Sequence, residues 1–228
     1  MPENKKMCAA GNEVVNAVYS MSLDCQRFIL FALTKIEYSS KDLSREAFAV
    51  EISATEWNEV FDGDGSGNSY KQLAKIADRL QHSPAATVRV ALGEGYRRMQ
   101  WADVADYQPK EGYVGFVFGE SIRKHLGDLR GDYTKMDLIK IRHFQSVYSI
   151  RIYMLLAQYR ATGFRIEQVD DLRAKLDLGE KYKLFADFRR NVLDRAISEI
   201  KERAGIDVAY ELKKAGRIVQ SIEFRFSM

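Results

Sequence analysis

The chain repeats itself. Ser22-x4-Arg27-Phe-Ile-Leu-Phe and Ser146-x4-Arg151-Ile-Tyr-Met-Leu match in spacing and character, and the same order of predicted elements follows each. A repeat of this length must be a folded unit in its own right, so any fold has to be built twice.

In the first copy, Phe28, Ile29, Phe31, Ala32 and Ile36 recur at helical spacing over Ser22 to Ile36. Ser22 is the expected N-cap and Asp24 lies in the first turn. A polar segment runs from Glu37 to Glu46, and Phe48, Val50 and Ile52 then alternate as a short strand. Ser53-Ala-Thr-Glu56 has capping-box spacing and predicts a short helix through Phe61. A Gly/Asp/Ser loop, Asp62 to Gly67, leads to a helix capped by Asn68 or Ser69, with Leu73, Ile76, Ala77 and Leu80 on one face. Three strands are expected next: Ala86 to Leu92, then Arg97 to Tyr107 and Gly112 to Phe118, the last two joined by a turn at Gln108 to Gly112.

The second copy predicts a helix over Leu138 to Arg160, broken near His143 to Ser146. Phe164 and Ile166 mark a short strand, and Val169 to Leu176 a short helix. A long helix runs from Leu184 to Arg203, with Phe185, Phe188, Val192, Leu193, Ala196 and Ile200 along one side. Val208, Tyr210 and Leu212 alternate before a turn at Lys213 to Gly216, and Val219, Ile222, Phe224 and Phe226 complete a hairpin.

Short helix, turn and longer helix make a helix-turn-helix, and a following hairpin makes it winged. The expected fold is therefore α+β, predominantly helical, with two tandem winged-helix domains. The expected organisation is an N-terminal arm over 1–11, one domain over 12–129 and a second over 130–228. The boundary falls near Gly127 to Asp132, where glycines and charges interrupt the apolar pattern.

Composition narrows the function. With 46% hydrophobic residues in 228, the chain can bury a core. Its apolar runs, such as Arg27 to Thr34, are far shorter than the about 20 residues of a membrane span. The first residues lead into Asn12-Glu13 rather than an apolar signal core, and two cysteines, Cys8 and Cys25, fit a reducing cytoplasm. The net charge of +3 is unevenly spread: residues 1–132 carry 16 Lys+Arg and 19 Asp+Glu, while 133–228 carry 19 and 13. The basic second half points to an anionic partner.

No catalytic or cofactor constellation is expected. The three histidines, His82, His125 and His143, are too far apart for a zinc pair, and no phosphate-cradling glycine loop or nucleophile elbow occurs. The His-x-His metal pair of DNA-nicking initiators is missing too. Asp62-Gly-Asp64-Gly-Ser66-Gly67-Asn68 copies the start of a calcium loop, but its twelfth position is Leu73 instead of the bidentate Glu. It is read as a polar turn, and no metal is expected.

Charge and pattern converge on the second helix-turn-helix. Lys181, Lys183, Arg189, Arg190 and Asn191 stand at the start of its second helix, where a recognition helix presents side chains to the major groove. With Phe185, Phe188 and Val192 inward, Lys183, Arg190 and Asn191 are left outward. Arg pairs bidentately with guanine, and Asn with adenine. Lys213, Lys214 and Arg217 stand at the wing tip, within reach of phosphates. The same residues can instead form a solvated basic face that pairs with Asp187 and Asp194. The first copy repeats the layout with fewer charges: Asn68, Lys71, Gln72 and Lys75 on its helix, and Arg97 and Arg98 on its hairpin. It is expected to serve as a weaker DNA contact, a protein interface, or both.

These segments together resemble the winged-helix plasmid replication initiator (Rep) proteins of iteron-containing bacterial plasmids. The resemblance rests on Asn12-Glu-Val-Val15, Ser22-Leu-Asp-Cys-Gln-Arg-Phe-Ile-Leu30, Tyr133-Thr-Lys-Met-Asp-Leu138, Tyr148 to Leu156, Phe185 to Leu193 and Ala196 to Ile200, in that order and spacing. It implies an initiator that binds double-stranded DNA and is not an enzyme. Monomers would bind direct repeats, the iterons, and help open the origin, while a homodimer would repress its own promoter at an inverted repeat. The C-terminal domain would make the main base contacts; the N-terminal domain would supply dimerisation and a second DNA contact. The host chromosomal initiator and replicative helicase are the implied protein partners. Two other readings stay open on the residues alone: a tandem winged-helix repressor without a replication role, and a winged-helix interaction module that does not bind DNA.

Overall fold

A computed structural model describes residues 6–36, 42–61, 68–83, 86–127 and 133–228. The calcium-like loop at Asp62 to Gly67, and residues 37–41 of the polar segment after Ile36, lie outside the described residues. The chain divides into two compact units, Met1–Arg142 and His143–Met228.

The first unit starts with β1 (Met7–Gly11), α1 (Asn12–Asn16) and α2 (Leu23–Leu33). Ser22 caps α2 as expected, accepting a hydrogen bond from the Cys25 amide at 3.3 Å. A 3-10 turn (Glu46–Phe48) leads into β2 (Ala49–Ser53), α3 (Ala54–Phe61) and α4 (Asn68–His82). The capping box is formed: the Glu56 amide donates to Ser53 Oγ at 3.2 Å, and the Ser53 amide to Glu56 Oε2 at 3.0 Å. Then come β3 (Thr87–Leu92), β4 (Gly95–Gln100), β5 (Ala102–Gln108), β6 (Tyr113–Phe118), α5 (Glu120–Gly127), β7 (Tyr133–Asp137) and α6 (Leu138–Ile141). The core is aromatic. Phe28 meets Trp57 and Phe116, and Phe118 meets Phe48 and Phe116.

Two expectations for this unit need correction. The single strand expected over Arg97 to Tyr107 is broken at Trp101. That side chain is buried, and its amide donates to the Ala86 carbonyl. The break sends β4 to pair with β3 in a separate hairpin, while β5 joins a sheet of order β2-β6-β5. The end of the expected arm is a strand, and the boundary moves with it. β1 pairs antiparallel with β7, Met7 opposite Asp137 and Gly11 opposite Tyr133. That pairing holds Tyr133–Ile141 in the first unit, so the compact units divide after Arg142 and not near residue 130.

The middle of the ladder is buried, from Cys8 to Ala10 on β1. Cys8 is enclosed, and its thiol is pushed up to about 12, chiefly by burial and then by Asp137. Burial raises the Cys25 thiol as well. Both thiols are expected to resist alkylation in the native protein and to react once the chain is unfolded in denaturant. Mass spectrometry after brief alkylation checks this; rapid native labelling of Cys8 would show that the β1–β7 ladder opens easily.

The second unit runs α7 (Val147–Ala157), β8 (Phe164–Gln168), α8 (Val169–Lys175) and α9 (Phe185–Phe188). A π-helical turn (Arg189–Asp194) and α10 (Arg195–Ala204) follow, then β9 (Val208–Ala215) and β10 (Ile218–Phe226). Ser146 caps α7 as Ser22 caps α2, accepting from the Tyr148 amide at 3.2 Å. The sheet order β8-β10-β9 is that of β2-β6-β5, so the internal repeat is real at the level of topology. On β10 the inward phase slips from Val219 to Ile222, because a bulge lies between Val219 and Ser221.

β8 forms where Phe164 and Ile166 predicted it, but with its faces reversed. Ile166 is 49% exposed, while Arg165 and Glu167 point inward at 5% and 4%. The two form an ion pair with each other. Lys175 Nζ adds a second cation 2.7 Å from Glu167 Oε2. Arg165 Nη1 also donates to the Leu155 carbonyl at 2.7 Å and to Gln158 Oε1 at 2.6 Å. Burial of charge is tolerated here because each ion is paired and hydrogen-bonded.

Candidate nucleic-acid interface

The second unit presents its basic residues from a stiffened turn. Between α8 and α9 the backbone takes left-handed conformations at Asp177 (φ 49°), Gly179 (φ 50°) and Tyr182 (φ 54°). Arg173, in the last turn of α8, ties this loop down. Its guanidinium donates to the carbonyls of Tyr182 at 2.7 Å and Lys181 at 2.9 Å, and it lies 5.5 Å from the Phe188 ring centre. Tyr148 packs edge-on against Tyr182 at 6.3 Å. Burial, then Tyr182 and Asp177, push the Tyr148 hydroxyl up. Lys181 and Lys183 are exposed on the loop so held, and Lys183 pairs with Glu180.

From Phe185 to Ala204 the helix carries a π-turn in its second segment. Phe188, Val192, Leu193, Ala196 and Ile200 are buried on one side, as the periodicity predicts. A π-turn lodges an extra residue and leaves backbone carbonyls with displaced partners. Within this turn the Asn191 side-chain amide donates to the Asp187 carbonyl at 2.9 Å. Asn191 therefore has a local structural bond besides its expected base-reading position.

Both arginines of the turn are engaged by carboxylates. Arg190 Nη2 sits 3.0 Å from Asp187 Oδ1. Arg189 Nε donates to the Tyr210 hydroxyl at 3.0 Å and stands 3.5 Å from Asp194 Oδ2. Tyr210, on β9, passes its own hydroxyl hydrogen to Asp194 Oδ1. Burial, with that bond next, pushes the Tyr210 hydroxyl up to about 12, and the Arg189 guanidinium is raised by Tyr210 first and Asp194 after it. The network links the helix to the wing. The pairing with Asp187 and Asp194, the alternative expected from sequence, is present.

The wing turns at Gly216 (φ 59°) and Arg217, so Lys213 to Ala215 lie on β9 and not in the turn expected over Lys213 to Gly216. Lys213 is drawn along the strands by Glu211 at 3.2 Å and Glu223 at 3.4 Å, which raise its pKa. Lys214 and Arg217 are exposed, with no carboxylate partner among the described residues.

In the first unit the candidates disperse. Lys71 and Lys75 are exposed on α4, and Asn68 is exposed as its first residue. Gln72 is committed inward, its Oε1 accepting from the Trp57 indole at 3.0 Å. Arg97 and Arg98 are exposed but lie on β4, in the extra β3–β4 hairpin rather than on the wing. That wing, β5–β6, turns at Gly112 (φ 70°), where a Cβ would fall 2.5 Å from the Tyr70 ring. Glycine lets the wing tip close on α4. Arg173, Tyr210 and the π-turn were not picked out from sequence. A basic residue ending the short helix was the only hint of the first.

Among the described residues no group of three His, Cys, Asp or Glu side chains could hold a metal, and no helix is long and apolar enough to cross a membrane.

A helix-turn-helix with a wing, built twice on one topology, defines a tandem winged-helix protein. Two family descriptions match the sequence: Initiator Replication protein, WH1, over residues 8–157, and Initiator Rep protein, WH2, over residues 168–226. The chain belongs to this initiator Rep protein family. PI protein of Escherichia coli is 29% identical over 138 residues, 53% of this chain and 45% of that protein, so the match spans under half of PI protein. The crystal structure of Pi initiator protein in complex with iteron DNA shares the fold, with TM-score 0.82 and 23% identity over 98% of both chains. The structure of domains 2 and 3 of RctB is more distant, at TM-score 0.52 and 13% identity over 91% of this chain and 83% of that one.

Proposed function

We propose that the chain initiates plasmid replication by binding direct repeats at an origin, with the second unit reading the DNA. The observation that carries this is the grouping of Lys181, Lys183, Arg189, Arg190, Lys214 and Arg217 on one helix-turn-helix and its wing. The shared fold with an initiator seen on iteron DNA supports it. Phosphate contacts supply salt-dependent affinity and the helix supplies sequence preference. Lys71, Lys75, Arg97 and Arg98 give the first unit a weaker contact. In this reading a monomer engages each repeat and a homodimer represses the promoter at an inverted repeat. The opened origin then receives the host chromosomal initiator and replicative helicase. No enzymatic step is needed, since binding energy alone deforms the DNA.

The test is fluorescence anisotropy across a salt series. Labelled duplexes carry the direct repeats of the origin region, the promoter inverted repeat, or a scrambled sequence. One chain bound per direct repeat supports the initiator. Preference for the inverted repeat alone supports a repressor, and no binding leaves an interaction module.

Two substitutions separate the roles. Arg190→Ala is expected to cost about 1–3 kcal/mol on the repeat and to relax sequence preference. Arg217→Ala is expected to weaken all duplexes alike and lower the salt slope by about 1. Equal losses for Arg190→Ala on specific and scrambled DNA would make Arg190 a phosphate contact.

A further inference from the structure

The helix that faces DNA in the proposed function is almost self-neutralised. Residues 180–194 contain four Lys or Arg against three Asp or Glu. Each of those acids engages a cation: Glu180 with Lys183, Asp187 with Arg190, and Asp194 with Arg189. These are not buried structural pairs. The Arg190 side chain is 75% exposed and Asp187 41%. Exposed pairs of this kind contribute little to stability. Yet their geometry is fixed. Asn191 holds the Asp187 backbone, and Tyr210 clamps Asp194 while accepting from Arg189.

Resting on the initiator reading, we propose that Asp187 and Asp194 are specificity-determining residues, each occupying a recognition-helix arginine until a matching base edge replaces it. A carboxylate and a DNA phosphate are similar acceptors for guanidinium. On random DNA, Arg190 and Arg189 would exchange one oxyanion for another, and the displaced aspartate would be left facing the negative backbone. Little is gained, and the charge repulsion opposes close approach. At a matching site a guanine offers both O6 and N7 to one guanidinium, an acceptor pair that discriminates strongly between bases. The aspartates thus weigh most on unmatched DNA, where an arginine that leaves them gains no base edge and they are left facing phosphates, and specificity comes from that unequal penalty. Lys181, Lys214 and Arg217 lack such carboxylates among the described residues and remain free for general phosphate contact.

The experiment uses the full chain. A duplex is first selected by the unmodified protein from a randomised pool, and a scrambled version serves as the random probe. Asp187→Asn and Asp194→Asn are compared with Glu202→Gln, which removes an equal charge on α10 where Glu202 accepts only from Ser198. Each aspartate variant is expected to tighten scrambled-duplex binding by about three- to fivefold, the scale of one exposed ion pair. It should also steepen the salt dependence by up to about 1. Affinity for the selected duplex should change less, so the ratio of the two falls. Tyr210→Phe, which keeps the ring and removes both hydroxyl bonds, should move the ratio the same way. Circular dichroism confirms that each variant folds. A ratio unchanged, or shifted equally by Glu202→Gln, overturns the proposal and leaves only general electrostatics. If the unmodified protein selects no sequence at all, it is the initiator reading that fails.

Discussion

Glu167→Ala is expected to destabilise the second unit by about 3–5 kcal/mol, the scale of a buried ion left without its partner. Glu167 is the counterion of both Arg165 and Lys175. Lys175 is the more exposed of the two and can turn to water. Arg165 cannot: it is anchored by the Leu155 carbonyl and Gln158, with its guanidinium 4.7 Å from the Tyr159 ring centre. Its charge would stay in the interior. Such a loss is a large part of the roughly 5–15 kcal/mol that holds a domain folded. Urea unfolding followed by circular dichroism measures it. The double variant Arg165→Met with Glu167→Leu is expected to recover much of the loss, because replacing both ions with apolar groups removes the desolvation cost as well. A double variant no more stable than Glu167→Ala would show that the pair is needed for packing instead of charge balance.

Phe188→Ala is expected to cost about 3–5 kcal/mol, as for other fully buried aromatic rings cut to alanine. Phe188 is wholly enclosed, sits under the Arg173 guanidinium and meets Phe185 edge-on at 6.0 Å. It is the last residue of α9 before the π-turn. Its loss should lower the melting temperature by at least about 10 °C. Below that melting point it should also disorder the α8–α9 loop, so DNA affinity falls although no DNA-facing group has been touched. Thermal unfolding and duplex titration at a temperature where the variant is folded separate the two effects. Phe188→Leu should keep most of both. A variant that melts normally would remove Phe188 from the role of anchor.

The architecture was legible where periodicity and caps agree. Ser22, Ser146 and the Ser53–Glu56 box open their helices as the spacing requires, and the internal repeat reappears as matching sheet orders. Faces and strand partners were less legible. On β8 alternation alone cannot tell which set of side chains turns inward, and hydropathy favours Ile166 over Arg165 and Glu167. Only the cations and carbonyls brought from α7 and α8 make the charged face the buried one. The split of Arg97 to Tyr107 into two strands depends on Trp101 finding a buried seat beside Ala86, a tertiary event. For the site, residue types were readable but their commitments were not. Gln72 serves Trp57, and Asn191 serves the Asp187 carbonyl one turn before it.

The pairing of β1 with β7 also sets a timetable. Met7 must wait for Asp137 before its strand has a partner, so the first unit cannot be completed until nearly all of it has been synthesised. Helices α1 to α5 and the three-stranded sheet draw on residues that emerge between those two strands and can assemble earlier. The second unit holds its whole sheet within residues 164–226 but closes late in the same way, since β8 waits for β10, with Phe164 opposite Arg225. During synthesis the chain therefore passes through a state in which an apolar strand, Cys8-Ala9-Ala10, is made but unsheathed. For this strand the window of exposure to edge-to-edge association closes when Tyr133–Asp137 arrives.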